Sequence, residues 1–351
     1  MSKVSATVEI DLINEFWHQH RINASVSAKD HIRAGSAYIA FGVKLGSGCK
    51  ISSIEKSMRE LAETISDHRR EPTLIRLRQL PLQLEVPNPK FEPLYLPRDL
   101  VTQPHAMTLG LSYNYSGPVV EFADFNRYPH CLIAGQTGSG KSVLLVNGLY
   151  SLLMATPPDE LDLVLIDLKN EDLQPFLDMP HVVFAANDLE SAEAAIMYVH
   201  EEKDRRVKAG RGQFRRTLLV IDELAELARV PNALNLLGSI LMLGRSKHVN
   251  VVAAIQNPLA SIIGSKNKGQ FTLKLVGKMA TDNDAKTAAG QAHTGAEFLP
   301  GRGAFLFVDG AAVRRFQSYF TTDPFATVLA VKDKWYKGQL PLLVLEKTNH
   351  D

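Results

Sequence analysis

The chain has 351 residues, with 39 Lys and Arg against 38 Asp and Glu, so its formal net charge is +1. This length allows two or three domains, and a hydrophobic content of 45 % with 22 % charged residues is ordinary for a globular protein with a sizeable core. A near-zero charge excludes a global basic field, so any contact with nucleic acid would need local clusters of Lys and Arg.

Cysteine usage and hydropathy indicate the compartment. Cys49 and Cys131 lie far apart and fit no paired metal-ligand spacing, which favours a reduced protein in the cytoplasm. No apolar run reaches about 18 residues, and the first 25 residues lack the apolar centre of a secretory signal. We therefore expect a cytoplasmic protein without membrane insertion.

Residues 1–105 predict a small α+β domain. "SAYIAFGVKL" at 36–45 is typical of a strand, "ISSIEKSMRELAETISDH" at 51–68 has helical spacing of apolar residues, and "TLIRLRQLPLQLEV" at 73–86 alternates as one half-buried strand. The proline-rich stretch "VPNPKFEPLYLPRD" at 86–99 ends this unit.

Residues 106–325 alternate short apolar strands with longer helical segments. The strands are "HCLIAG", "LDLVLIDLK", "RTLLVIDELAEL", "VNVVAAIQN" and "GAFLFVDG". Continuous apolar strands separated by helices indicate an α/β fold, in which helices cover both faces of a mostly parallel sheet. Residues 326–351 are too few for another independently folding domain, and we assign them to a C-terminal tail.

"GQTGSGKS" at 135–142 matches the phosphate-binding P-loop pattern, in which a strand leads through a glycine-rich loop into a helix. Its glycines allow backbone N–H groups to face phosphates, Lys141 reaches the β- and γ-phosphates, and Ser142 can hold Mg²⁺. The alternative, a Gly/Ser turn without a ligand, is disfavoured by the strand before the loop and the helix-compatible run after it. ATP and Mg²⁺ are the predicted cofactors. The predicted binding residues are Gly135, Gln136, Thr137, Gly138, Ser139, Gly140, Lys141 and Ser142.

Two acidic residues end the strand "TLLVID" of "TLLVIDELAEL". Asp222 is placed to bind Mg²⁺ through water, and Glu223 is placed to polarise the attacking water. Adjacent acids can also begin a solvated helix, where they suit the N-terminus. The P-loop upstream favours the catalytic interpretation.

Several stretches, in register with the P-loop, together resemble the motor of the FtsK/SpoIIIE family of DNA translocases. The similarity covers roughly residues 35–325, because the small α+β domain is also similar to the domain that precedes the motor in that family. It implies a RecA-like P-loop motor, ATP hydrolysis stimulated by DNA, and a homo-hexameric ring around double-stranded DNA with nucleotide between subunits. The stretches are "AGQTGSGKS", "VLIDLK", "LDMPHVV", "EEKDRRVKAG", "LLVIDELAEL", "GRSKHVNVVAAIQNP" and "LPGRGAFLF".

The resemblance also implies roles for single residues. Gln256 stands at the strand-end sensor position for γ-phosphate, and Arg245 matches the arginine that reaches the nucleotide of a neighbouring subunit. Arg302 in "PGRG" is the rival candidate for the same role. Asp167 and Lys169 follow a motor strand, where they would either couple nucleotide state to the channel or form a local ion pair.

Translocation along any sequence needs contacts to phosphates rather than to bases. Lys266 and Lys268 lie in a polar, glycine-flanked loop and are the first candidates to contact DNA. Arg211 and Arg215, in "RRVKAGRGQFRR", are the second. Asn257 stands where the family commonly has an arginine, so one charge that faces DNA is missing.

The functional hypothesis is an ATP-dependent, ring-shaped translocase of double-stranded DNA, serving a plasmid, phage or mobile element together with a loading, replication or transfer partner. From the length of the chain we expect it to work without the membrane region and the winged-helix module of the long cell-division members of the family. The alternatives are a conjugative coupling or pumping ATPase for single-stranded DNA, a secretion motor for polypeptides, and a nucleotide-gated clamp that is not a motor.

Overall fold

Two separate β-sheets organise the protein in a computed structural model. The first has four strands, and the second has ten. The structure describes residues 3–33, 38–70, 73, 75–79, 82–88, 91–114, 117–210, 212–230, 232–257, 267, 269–310 and 312–336.

The first sheet has the strand order β1-β2-β4-β3, and every neighbouring pair is antiparallel. Its core contains Trp17 and Phe41, both without solvent exposure. The elements are α1 (Lys3–Gln19), β1 (Ala24–Arg33), β2 (Tyr38–Leu45), α2 (Ile51–Arg69), β3 (Arg76–Gln79) and β4 (Leu82–Pro87).

This sheet confirms the α+β character of the small domain but differs from the sequence prediction in two places. Helix α1 precedes the predicted helix, and the single strand predicted at 73–86 is an antiparallel pair, β3 and β4. Both strands alternate apolar and polar residues in the same way, so the alternation predicts strand structure without showing where one strand ends and the next begins.

The second sheet has the order β6-β5-β14-β13-β12-β7-β11-β10-β8-β9. The half from β12 to β9 is parallel, and the half from β6 to β13 is antiparallel. Its strands are β5 (Ala106–Asn114), β6 (Gly117–Asp124), β7 (His130–Ala134), β8 (Leu161–Ile166), β9 (Val182–Ala186), β10 (Arg216–Ile221), β11 (Val249–Ile255), β12 (Leu273–Val276), β13 (Ala304–Asp309) and β14 (Ala312–Ser318).

Helices cover both faces of the large sheet and bury two apolar clusters. They are α3 (Lys141–Ala155), α4 (Leu189–Ala209), α5 (Leu224–Leu227), α6 (Ala233–Leu243), α7 (Asp282–Ala289) and α8 (Pro324–Tyr336). The parallel half confirms the α/β prediction, since its strands β7, β10 and β11 are buried along their whole length.

Helix α8 extends into the segment that the sequence assigned to the tail. Val328 and Val331 are buried in the same cluster as the P-loop helix α3, and the Trp335 indole donates a hydrogen bond to the Leu153 carbonyl at 2.7 Å. Residues up to Tyr336 are therefore packed on the large sheet rather than separate from it.

Polar contacts join the small domain to the large sheet and to a loop beside it. The Arg315 guanidinium on β14 lies 3.0 Å from the Glu85 carboxylate on β4, and both side chains are buried. Arg76 on β3 donates to the Thr294 carbonyl at 2.8 Å. In the part of the chain that the structure describes, no helix combines the length and apolarity needed to cross a membrane.

Candidate nucleotide site

The P-loop connects β7 to α3 and is fixed by its neighbours in the sheet. The Gly135 N–H donates to the Ile255 carbonyl at 3.2 Å, and the Gln136 N–H donates to the Lys278 carbonyl at 2.9 Å. Gly138 and Gly140 have φ values of 79° and 97°, in the left-handed region that favours glycine. Helix α3 therefore begins at Lys141 behind a loop shaped for anions.

The "PGRG" segment packs its backbone against the P-loop, a contact that the sequence did not predict. The Arg302 N–H donates to the Gly138 carbonyl at 3.2 Å, and the Gly303 N–H donates to the Ser139 carbonyl at 2.8 Å. A Cβ on Gly140 would lie 2.8 Å from the Gly303 nitrogen, so the two chains approach as closely as glycine permits. The glycines around Arg302 are the one signal for this contact.

Asp222 lies at the carboxyl end of β10 and is almost completely buried. Burial and the nearby Asp172 and Asp167 carboxylates raise the pKa of Asp222 to about 7, while Lys141 and Lys169 act in the opposite direction. A divalent cation would offset the repulsion among these carboxylates.

The donor set fits Mg²⁺, which prefers oxygen ligands and keeps several waters and substrate phosphates in its shell. Ser142 would supply a hydroxyl from the first turn of α3, and Asp222 would supply a carboxylate. Among the described residues, no group of three or more His, Cys, Asp or Glu side chains could hold a metal without such outside ligands.

Three donors orient the Glu223 carboxylate, which is 7 % exposed. Its Oε1 accepts hydrogen bonds from the Gln256 N–H at 3.3 Å and from the Ala225 N–H at 3.4 Å, and its Oε2 lies 3.4 Å from the Lys169 ammonium. The structure therefore brings the predicted base, the predicted sensor and Lys169 together. Asp167 instead accepts hydrogen bonds from the Glu171 and Leu173 N–H groups. These bonds stabilise the turn that follows β8.

A mostly apolar cavity of about 240 Å³ lies beside the start of α3. It is large enough for part of a nucleoside, and it was not predicted, because its walls come from segments far apart in sequence. The Arg302 guanidinium lies 5.7 Å from the centre of the Phe91 ring at this cavity. The lining residues are Phe91, Pro93, Gly140, Val143, Arg302, Gly303, Gln317, Ser318, Tyr319 and Phe320.

The two candidate arginines lie at opposite ends of the parallel strands. Arg302 adjoins the P-loop of its own chain. Arg245 lies in a 3₁₀ turn, Gly244–Lys247, that precedes β11, whereas the P-loop follows the carboxyl end of the parallel strand β7. The length of β11, about 20 Å, separates the Arg245 edge from the P-loop edge. Arg245 is exposed and makes no ion pair with any described residue.

Of the predicted DNA contacts, Lys266, Lys268 and Arg211 lie outside the described residues. Arg215 is described, and its guanidinium is engaged within the protein. It lies 3.0 Å from the Asp162 carboxylate and donates to the carbonyls of Leu161 and Pro158. These contacts fasten the start of β10 to the start of β8, and a role for Arg215 at DNA stays a prediction.

Comparison with known proteins identifies the motor sequence. Residues 93–262, which contain the P-loop, both carboxylates, Arg245 and Gln256, match the FtsK/SpoIIIE family. This segment makes up just under half of the chain, and over it the chain is similar to the FtsK/SpoIIIE family. The predicted resemblance is thereby confirmed.

The curated relatives of this chain are longer proteins. The chain is 26 % identical over 362 residues to the DNA translocase FtsK of Mycobacterium leprae, covering 90 % of this chain and 42 % of that protein. It is 29 % identical over 327 residues to the DNA translocase SftA of Bacillus subtilis, covering 84 % of this chain and 34 % of that protein. It thus spans less than half the length of either relative.

Solved structures support the fold. A monomeric form of the pCW3 conjugation coupling protein TcpA with ATPγS superposes with a TM-score of 0.60 at 20 % identity, covering 92 % of this chain and 99 % of that one. ATPases 2 and 3 of EssC from Geobacillus thermodenitrificans superpose with a TM-score of 0.59 at 18 % identity, covering 72 % and 54 %. The fold of the chain is therefore that of P-loop ATPases.

Proposed function

We propose that this protein is an ATP-dependent motor that translocates double-stranded DNA. The observation that carries the proposal is the Glu223 carboxylate, held by Lys169, Gln256 and Ala225 on the sheet edge where the P-loop also lies. A protein that only bound nucleotide would not need an acid oriented in this way, because Glu223 serves turnover rather than binding.

In the proposed reaction, the P-loop amides and Lys141 bind the phosphates, and the apolar cavity beside α3 accepts the base. Ser142 and Asp222 would hold Mg²⁺, which when bound offsets the negative charge of the β- and γ-phosphates. Glu223 polarises the attacking water. Gln256, whose backbone is bonded to Glu223, registers whether the γ-phosphate is present.

The proposed assembly is a homo-hexameric ring. Arg245 lies a strand's length from its own P-loop, so it can contact a nucleotide only in another subunit. A guanidinium supplied in this way neutralises charge that develops during phosphoryl transfer, and removing such an arginine typically costs 10³-fold or more in turnover. Hydrolysis would then depend on assembly.

The proposed substrate is duplex DNA of a plasmid, phage or other mobile element, gripped through its phosphates by Lys266, Lys268 and Arg211. A loading or transfer partner would set the direction of movement. A second candidate is a coupling ATPase that passes single-stranded DNA; a protein described as a conjugation coupling protein shares the fold over 92 % of this chain.

Measurements of the steady-state ATPase rate test these proposals. The rate is determined without nucleic acid, with linear duplex and with single strands, each at low and moderate salt. Strong stimulation by duplex that fades with salt is expected, because phosphate contacts release counterions. Stimulation by single strands alone would favour the coupling ATPase, and indifference to both nucleic acids would refute a DNA motor.

A further inference from the structure

The paired arginines of "EEKDRRVKAG" have no role in the site described above, yet their environments differ sharply. Arg205 is 62 % exposed at its side chain and bonds only Glu202 among the described residues. Arg206, the next residue, is 2 % exposed. Burying a guanidinium costs free energy unless its donors are hydrogen-bonded. The acceptors of Arg206 therefore indicate which segments it stabilises.

The Arg206 guanidinium bridges three elements. On its own helix α4, Nε donates to Glu202 Oε1 at 2.7 Å. Nη2 donates to the Thr217 hydroxyl on β10 at 2.7 Å. Nη1 donates to the Lys247 carbonyl at 2.8 Å and to the His248 carbonyl at 3.3 Å. The last two acceptors end the 3₁₀ turn that carries Arg245.

This turn has a backbone that needs support. His248 has a φ of 55°, a left-handed conformation that is strained for a non-glycine residue. Arg206 binds the carbonyl of His248 and the carbonyl before it, so it stabilises the turn at its strained residue. The Lys247 ammonium adds a second tie, a hydrogen bond to the Gly210 carbonyl at 2.6 Å just after α4.

We infer that Arg206 is a positioning residue for Arg245. Its buried guanidinium fixes the 3₁₀ turn against α4 and β10, so that Arg245 is presented from a rigid edge to the nucleotide of a neighbouring subunit. This inference rests on the proposed trans-acting role of Arg245.

Mixed assemblies test the inference. Arg206→Ala subunits are expected to fold and to bind a fluorescent ATP analogue as the wild type does, because their P-loop is intact. Their duplex-stimulated turnover is expected to fall about 100-fold, the loss typical of a catalytic group misplaced by about 1 Å. Arg205→Ala, which removes the same charge from the adjacent residue, is the matched control and should stay within twofold of the wild type.

Complementation separates positioning from general damage. Glu223→Gln subunits carry an intact Arg245 but a dead site of their own, so mixing them with Arg206→Ala subunits should restore turnover at the junctions where their Arg245 faces an intact P-loop. Arg245→Ala mixed with Glu223→Gln is the reference pair and should be restored in the same way.

Each result decides a separate point. Full turnover by folded Arg206→Ala would overturn the inference, and so would failure of its mixture when the Arg245→Ala mixture is restored. Failure of the Arg245→Ala mixture would refute the trans-acting arginine itself, and the inference would fall with it. If Arg206→Ala does not fold, Arg206→Lys, which keeps the charge but lacks the fork of donors, should show the same pattern with a loss of about 10-fold.

Discussion

Gly303→Ala is expected to weaken nucleotide binding although residue 303 lies outside the P-loop sequence. Gly303 has a φ of 85°, so any other residue there incurs backbone strain of about 1–2 kcal/mol. Its N–H holds the Ser139 carbonyl at 2.8 Å, and its carbonyl accepts the Ser318 N–H at 2.7 Å. The backbone of Gly303 therefore joins the P-loop to β14.

An added Cβ at residue 303 would lie 2.5 Å from the Ser318 hydroxyl oxygen and 2.8 Å from the Gln317 amide nitrogen. The hydroxyl can rotate away, but the Gln317 side chain is buried and donates to the Arg302 carbonyl at 2.9 Å. Relief of this contact therefore breaks a hydrogen bond worth about 1 kcal/mol, or shifts residues 302–303 away from the P-loop. With the backbone strain, the free energy of unfolding should fall by about 2–3 kcal/mol.

The assay is titration with a fluorescent ATP analogue at a temperature where the variants remain folded. Kd should rise at least 10-fold, equivalent to about 1.4 kcal/mol, because the P-loop amides lose their fixed positions. Gly310→Ala is the matched control, since Gly310 has a φ of 57° and an added Cβ would meet nothing within 4 Å. Gly310→Ala should be destabilised by a similar backbone strain, and its Kd for the ATP analogue should stay unchanged. A Gly303→Ala protein with wild-type affinity would refute the structural role given to the "PGRG" contact.

Three further predictions concern the Glu223 carboxylate, its partner Lys169 and a buried histidine. Glu223→Gln should bind the ATP analogue within about threefold of the wild-type Kd and lose at least 100-fold in turnover, since an amide cannot accept a proton from water; retained turnover would exclude Glu223 as the base. Lys169→Met should lower the single-turnover rate about 10-fold with little change in Kd, because one of three donors to Glu223 is lost. The control is Lys332→Met, which removes a lysine on α8 that pairs with Asp178. An equal loss of rate in this control would show that the effect of Lys169→Met is nonspecific. Burial lowers the pKa of His130 to about 4 from 6.5, so the stability of the fold is full above pH 6.5 and falls as the pH drops below it. In denaturant titrations the free energy of unfolding should be about 2 kcal/mol lower at pH 5 than above pH 6.5. His130→Gln should lack this pH dependence.

The sequence predicted the parts of the site that depend on local pattern. The P-loop spacing and the apolar strand ending in Asp222 needed only local pattern and the rule that parallel strands place their carboxyl ends at one edge. The role of Gln256 came from the family resemblance. Because β10 and β11 are neighbours in parallel register, the Glu223 carboxylate and the Gln256 backbone meet as those strands end.

The parts that sequence could not predict depend on distant segments that pack together. Nothing within "PGRG" specifies that Gly303 lies against Gly140, and nothing in "VLIDLK" chooses Glu223 over Asp167 as the partner of Lys169. The small domain shows the same limit, since the alternation at 73–86 fits one long strand as well as two. Periodicity reports which face is buried, whereas the number of strands depends on what packs there.

Strand β11 links the two ends of the proposed mechanism. At its carboxyl end, Gln256 is bonded to Glu223, and at its amino end the turn with Arg245 is bound to Arg206. All seven residues of the strand are buried, and it is paired on both sides, to β10 and to β7. Such a strand resists bending, so Gln256 and the Arg245 turn keep a fixed separation along it. A substitution that loosens the turn, such as Arg206→Ala, should therefore weaken the dependence of one subunit's turnover on its neighbour. It should have a smaller effect on the affinity of the substituted subunit for nucleotide.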